Sequence, residues 1–511
     1  MADRFSDTSI NIFERFQSLR EDKVLTDLVL VIGDQRIDCH RVILASFSPY
    51  IRRQLMEDDS SELVIDDINF ESLEVLVELI YAGELFSVDA DNANEILNAI
   101  QLLEVSALAT ADFIAAMMDI EDSLSILRMA ESSKYDVVLK EAAMLKLCIV
   151  FLDVTVRYEL DESNVEEFLK NMTESEIINL ISREDLSVSN EIDVFRAVLK
   201  WTNADSNRKQ YFMNIVEHVR FNLMEKSDLD IVKEEELMQN AKGLRMIEEA
   251  EFKPRKVPEA DIGLEEDSIA SVEIMKFQFL ERLNEIREEQ QLVDLVLFAG
   301  NQQINCHKAI MAAASPYFEK VLTSDTKQTE EGEVRLTGHT GDTIHLIVDA
   351  IYGKQLQLGD DNVEEVLVAS HQFELTECED ECIDFICSHV TCNNCVDFYL
   401  LAKTHDLDRL RCNVTDYLTK SKDKIENVHL LKAEDWIDIL SAWDTNVTPD
   451  LLSTILEWAK TDARHMDSLA SVIQSAYLDP HPDYLPLIES NKELLSKAGA
   501  YDELRGMIEE D

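Results

Sequence analysis

A block of 26 residues occurs twice in this chain. LTDLVLVIGDQRIDCHRVILASFSPY, from Leu25 to Tyr50, returns as LVDLVLFAGNQQINCHKAIMAAASPY, from Leu292 to Tyr317, displaced by 267 positions without a gap. Fifteen of the 26 positions are identical. A repeat of this length means a duplicated folding unit, so whatever the block builds is built twice. The same offset pairs an upstream apolar stripe: Ile12, Phe13, Phe16 and Leu19 return as Phe279, Leu280, Leu283 and Ile286, at the spacing of one helix face.

Each copy has the same coarse order. Two short strands, LVLVI and the segment around Ile37, flank a turn at Gly33 or Gly300. His40 to Leu55 reads as one helix, Leu63 to Ile65 and Val334 to Leu336 as a third strand, and a further helical stretch ends in LIYAGEL or AIYGKQL. This is an α/β module with a small sheet and covering helices. Beyond each module the strand signal stops. Residues 119–250 and 389–511 carry helical periodicity around Trp201 and Trp458, whose offset has fallen to 257. Between the halves, FKPRKVPEADIG concentrates Pro and charge and reads as a linker.

At 511 residues the chain has room for several domains, and only 12 Gly and 8 Pro favour a helix-rich globular protein. The formal net charge of −56 repels phosphate backbones and anionic lipid, and Lys253, Arg255 and Lys256 form only a brief basic cluster. Nucleic acid and membrane surfaces are therefore not expected partners. No apolar run is long enough to span a bilayer and the first residues lack a signal-peptide pattern, so the expected location is cytoplasmic, with the nucleus as second choice. Nine Cys, an odd number at low density, fit reduced thiols.

No arrangement points to catalysis. Cys39 beside His40 lacks an orienting third group, and neighbours at a strand-to-helix junction diverge, so His40 and His307 read as helix-start residues that satisfy nearby backbone. Cys378, Cys382, Cys387, Cys392 and Cys395, with His371, His389 and His405 near, supply enough soft donors for zinc. The first copy has no counterpart of this cluster, and buried Cys is common, so a structural role is expected and no metal or other cofactor. Phosphate-loop, metalloprotease and nucleophile-elbow motifs are absent from the sequence, which is not read as an enzyme.

The string D-L-V-L-x(6)-I-x-C-H-[RK]-x-I-x-A-x-x-S-P-Y resembles the BTB (POZ) domain, and V-F-x-A-x-x-x-W, Val194 to Trp201, resembles the BACK domain. In domain order the chain is similar to kelch-like proteins without kelch repeats. The implied architecture is BTB over 5–118, BACK over 119–250, a linker over 251–265, BTB over 266–388 and BACK over 389–511. It alternates α/β and all-α modules and is mainly helical. The second BACK diverges, with Tyr477 in place of Arg220.

The resemblance implies an adaptor that pairs through BTB domains and holds a target protein on the cullin-3 scaffold of a ubiquitin ligase. It places Ile12, Phe13, Phe16, Leu19, Phe279, Leu280, Leu283 and Ile286 at a dimer interface. It also places Asp27 with Arg41, and Asp294 with Lys308, as partly buried charged pairs near the dimer groove, here read as structural ion pairs. The family's Φ-x-E cullin motif falls on Thr326, Lys327 and Gln328 in the second copy and on Ser60, Ser61 and Glu62 in the first, without its apolar residue in either. The candidate cullin contacts are therefore Tyr50, Leu55, Met56 and Glu62, supported by Leu124, Leu127, Leu139 and Leu145 of the first BACK. The alternative is a non-catalytic BTB scaffold or dimerisation partner that does not bind cullin. The BTB copies can pair with other BTB chains, with a second copy of this chain, or within the chain. The target protein is not named by the sequence.

Overall fold

The computed structural model describes residues 12–82, 88–105, 111–118, 120–132, 137–152, 171–183, 186, 190–252, 276, 278–324, 332–441, 447–476 and 483–509. The expected linker beyond Phe252, the Thr326–Gln328 position and Tyr477 lie outside them. The chain divides into two compact units: Asn11–Asp294 with His307–Ala309, and Leu295–Cys306 with Ile310–Asp511. The boundary falls within the second copy, after the helix that precedes its sheet.

In the N-terminal unit, α1 (Phe13–Glu21) leads into a sheet of order β2-β1-β3, with β1 Leu28–Ile32, β2 Gln35–Cys39 and β3 Glu62–Val64. β1 and β2 form a hairpin in the register Leu28↔Cys39 to Ile32↔Gln35, and β3 adds parallel to β1. The two-residue turn needs a positive φ at its first position, and Gly33 supplies it at +57°. Leu28, Leu30, Ile37 and Cys39 are buried in the core. In the C-terminal unit the same sheet recurs as β5-β4-β6, from β4 Leu295–Ala299, β5 Gln302–Cys306 and β6 Glu333–Leu336. Its hairpin runs Leu295↔Cys306 to Ala299↔Gln302, the same register moved by 267.

The single helix expected from His40 to Leu55 is two helices, α2 (Arg41–Phe47) and α3 (Pro49–Glu57). The break is chemical. Proline disfavours helical backbone in the residue before it, and Ser48 is extended at φ −116°, ψ 107°. Ser48 then serves both sides: its Oγ accepts from Ile51 N–H at 3.0 Å and donates to Leu103 C=O at 2.6 Å. Ser315 repeats this with Phe318 N–H at 3.1 Å and Phe373 C=O at 2.5 Å.

Helical segments follow in each unit. In the first, α4 (Phe70–Ala82), α5 (Ala93–Leu102) and α6 (Ala111–Met117) complete the α/β module, and α7 (Ile120–Ser132) packs along α8 (Val137–Leu152). Further on, the Trp201 indole is fully buried and donates to Met172 C=O at 3.0 Å. The Arg220 guanidinium meets buried Glu191 at 3.1 Å. In the second, Trp458 is buried the same way and donates to Leu431 C=O at 2.8 Å. Both tryptophans bury a large apolar ring while pairing their one polar atom, as a core indole requires.

Candidate functional site

The apolar stripe at the start of the chain is not an open face. Ile12, Phe13, Phe16 and Leu19 are all buried, and the helix over 278–288 packs on them, with Phe279, Leu283 and Ile286 buried and Leu280 half-buried. Phe279 is the centre. Its ring lies edge-on to Phe13 at 5.1 Å and to Phe16 at 5.7 Å, and stacks on Phe47 at 4.7 Å between centroids. Such offset and edge-on geometries are the favoured ones for aromatic pairs.

Polar contacts fix the register. Phe47 ends α2, where carbonyls lack intrahelical donors, and Arg282 Nη1 donates to the Phe47 carbonyl at 3.1 Å. Arg52 reaches Glu289 at 2.7 Å and the Gln291 side-chain oxygen at 2.8 Å. Lys276 Nζ lies 5.7 Å from the centre of the Phe13 ring. Sequence spacing identifies the eight stripe residues but not Phe47, Arg52 or Arg282, which the fold brings in from other elements.

The acid and base read as an ion pair in the first copy are joined differently. Asp27 Oδ1 accepts from the backbone N–H of Arg41 at 2.8 Å, capping the first turn of α2, while the Arg41 guanidinium turns to Asp59 at 2.6 Å. In the second copy Asp294 Oδ1 accepts from Lys308 N–H at 2.8 Å. The reason is local. A free N–H at a helix start is the nearest strong donor to a carboxylate placed just before the neighbouring strand. Burial raises both carboxyls, Asp294 from 3.8 to about 6, with the negative charge of Asp27 adding to the rise and the Lys308 amide opposing it.

His40 and His307, read as helix-start residues that satisfy nearby backbone, stand just before Arg41–Phe47 and Lys308–Ala314, and the carbonyl each ring holds lies 16 residues upstream. Lys23 and Leu25 both adopt positive φ, 53° and 58°, and Gln290 and Leu292 do the same at 56° and 53°. Left-handed backbone is costly for side-chain-bearing residues. Between each strained pair one carbonyl is held by a histidine: His40 Nε2–H donates to Val24 C=O at 2.9 Å, and His307 Nε2–H to Gln291 C=O at 3.0 Å. His40 N–H donates to the Tyr81 hydroxyl at 2.7 Å, and that hydroxyl lies 3.0 Å from Nδ1, to which it donates. This set suits a neutral ring. Burial accordingly lowers both histidines, His307 from 6.5 to about 4.

Two of the candidate scaffold contacts separate by helix facing. Leu55 lies four residues after buried Ile51 and is itself buried at 5%, so it is core and not available as a surface contact. Met56, one residue on, is 51% exposed, and Val64 on edge strand β3 is 58% exposed. Glu62 is exposed and pairs with Arg36, and Tyr50 is half-buried. Leu124, Leu127 and Leu139 are core, and Leu145 is half-buried.

The cysteine cluster is dispersed. Cys378 and Cys382 are buried on one helix, and burial pushes the Cys378 thiol up to about 12. Cys395 is buried with its thiol likewise near 12, while Cys392 contacts the Tyr417 hydroxyl at 3.5 Å and Ser421 Oγ at 3.2 Å. His371 pairs with Glu379, and His389 stacks on Phe385. Among the described residues no group of His, Cys, Asp or Glu is placed to hold a metal ion.

The chain matches known protein families over defined stretches. The BTB/POZ domain model matches residues 16–113 and again 283–390, and the model described as BTB And C-terminal Kelch, the BACK domain, matches 124–233. Similar proteins include zebrafish (Danio rerio) Kelch repeat and BTB domain-containing protein 8, 28% identical over 196 residues, covering 37% of this chain and 32% of that protein. Human Kelch-like protein 6 is 30% identical over 189 residues, 35% of this chain and 30% of its own length. Mouse Kelch-like protein 41 is 24% identical over 229 residues, 42% and 38% respectively. The chain thus spans about a third of the length of these relatives.

Proposed function

Because this chain belongs to the BTB–BACK proteins of the kelch-like group, we propose that it is a substrate adaptor that binds cullin-3 through its first BTB and BACK domains. The exposed apolar pair Met56 and Val64 on the first copy carries this reading, since it borders the segment where related adaptors place their scaffold contact. Met56 at the end of α3 offers the apolar plug that the residues at the motif position lack, and Glu62 lies close to it in sequence. Residues 389–511 are read as a second BACK-like segment that serves target capture. The mechanism is positioning: holding a target on the scaffold raises the effective concentration of its lysines near a ubiquitin-charged enzyme.

The test is recovery of cullin-3 by the tagged full chain at low salt. Wild type is expected to retain it, and Met56→Glu with Val64→Glu to lower recovery roughly tenfold or more, the loss typical of a desolvated apolar anchor. Absence of cullin-3 from the wild-type pull-down sinks the adaptor reading and leaves a BTB scaffold that does not use cullin.

A further inference from the structure

Thr391 to Cys395 reads TCNNC, and its two cysteines stand three positions apart where the chain enters the helix Cys395–Thr404. Cys395 N–H donates to Thr391 C=O at 3.0 Å, and Thr391 N–H donates to the Asn394 side-chain oxygen at 2.7 Å, so the segment is a closed helical turn. Residues three apart on such a turn are neighbours, about 5–6 Å between Cβ atoms, so a small adjustment brings their sulfurs to disulfide distance. Cys395 already turns back towards its neighbour: its Sγ–H donates to the Cys392 carbonyl at 3.8 Å.

The two thiols have unlike surroundings. Cys392 is half-buried, with Ser421 Oγ 3.2 Å and the Tyr417 hydroxyl 3.5 Å from its sulfur. Tyr417 and Ser421 also line a cavity of about 560 Å³ that opens to solvent. Cys395 is fully buried, and burial pushes its thiol up to about 12, with the neighbouring Cys392 adding to the rise. One sulfur is thus accessible and flanked by two hydroxyls that can donate to a thiolate. The other keeps its proton and is shielded from solvent.

We infer that Cys392 and Cys395 are a peroxide-responsive thiol pair, with Cys392 as the attacking sulfur and Cys395 as the resolving one. The Cys392 thiolate attacks one oxygen of hydrogen peroxide: the S–O bond forms, the O–O bond breaks, and the released hydroxide takes up the proton lost by the thiol, leaving a sulfenic acid and water. The Cys395 sulfur then attacks the Cys392 sulfur. The S–S bond forms, the S–O bond breaks, and the Cys395 proton leaves with the hydroxyl as a second water. The thiol pair gives up two electrons, one peroxide becomes two waters, and a dithiol reductant restores the pair by exchange.

Oxidation has a structural consequence. Turning Cys392 Sγ towards Cys395 withdraws it from Tyr417, on the helix Asp408–Lys420, and from Ser421, which ends that helix. The connection that follows is tied to the same cysteine, since Glu426 N–H donates to Cys392 C=O at 2.9 Å. The disulfide therefore reshapes one wall of the cavity. Cys378 and Cys382 are buried on one helix and out of an oxidant's reach, whereas Cys412 is exposed and gives an internal reference for unassisted oxidation. The reading is independent of cullin binding.

The test treats freshly reduced full chain with an equimolar amount of hydrogen peroxide, alkylates the remaining thiols and maps the peptides by mass spectrometry. Cys392 and Cys395 are expected to lose alkylation together, as a disulfide that dithiothreitol reverses, while Cys412 stays alkylated. In Cys395→Ser the sulfenic acid has no resolving partner and is expected to persist at Cys392, where dimedone captures it. Cys392 still fully alkylated in the wild type, or joined to a cysteine other than Cys395, would overturn the proposal, as would dimedone on Cys412 and not on Cys392 in the variant. If the variant does not fold, the wild-type disulfide map decides alone.

Discussion

Phe47→Ala is expected to lower the unfolding free energy of the N-terminal unit by about 3–5 kcal/mol, the range for removing a buried aromatic ring. Phe47 is only 2% exposed, ends α2 and stacks on Phe279, so its loss opens a gap in the first module's core and in the association face together. Met56→Ala, in the next helix, removes an exposed side chain and is expected to stay within about 0.5 kcal/mol. Urea titration followed by far-ultraviolet circular dichroism checks both. A Phe47→Ala midpoint indistinguishable from that of Met56→Ala would mean that the aromatic cluster contributes little to the fold.

The second large effect is a pair of opposing pH slopes. His307 is held neutral, its pKa drawn from 6.5 to about 4 by burial, so the unfolded chain takes up a proton before the native one does. Its contribution is present above pH 6.5 and is lost as pH falls towards 4. Asp294 has the other sign. Its pKa is raised from 3.8 to about 6, so its contribution is full below 3.8 and is lost as pH rises through 6. Each shift corresponds to about 3 kcal/mol at most, and between pH 4 and 6 the two slopes oppose. His307→Gln is therefore expected to gain stability relative to wild type as pH falls through that window, and Asp294→Asn to lose it. Denaturant midpoints across the window check the pair, and three parallel pH profiles would contradict it.

How far the sequence reaches depends on which kind of information each feature carries. The duplicated strands are legible because a period-two apolar pattern and a glycine turn specify a hairpin locally, and both sheets have the expected strands in the same register. The eight stripe residues are legible as a helix face, but the aromatic cluster is not, since Phe47 joins Phe279 across 232 positions of chain. The break at Ser48 is written in the Ser-Pro dipeptide, which the apolar run around it masks. Leu55 and Met56 are adjacent and both apolar, so only the helix facing set by Ile51 tells the core residue from the surface one. The 14-residue spacing of Asp27 and Arg41 correctly places them together. It cannot say that the carboxylate takes the backbone N–H while the guanidinium goes to Asp59, because that choice depends on where the α3 to β3 connection runs. The histidines show the same limit: holding the carbonyl of a strained turn is a property of backbone conformation, which residue identity does not announce.

Scaffold binding by the first BTB and BACK domains rests on the exposed Met56 and Val64 side chains, and complex formation in solution tests it most directly. Purified full chain mixed with purified cullin-3 and passed over size exclusion with light scattering is expected to elute as one complex containing both proteins, and the chain carrying Met56→Glu with Val64→Glu to elute apart from cullin-3. Separate elution of the wild-type chain and cullin-3 at low salt would contradict it.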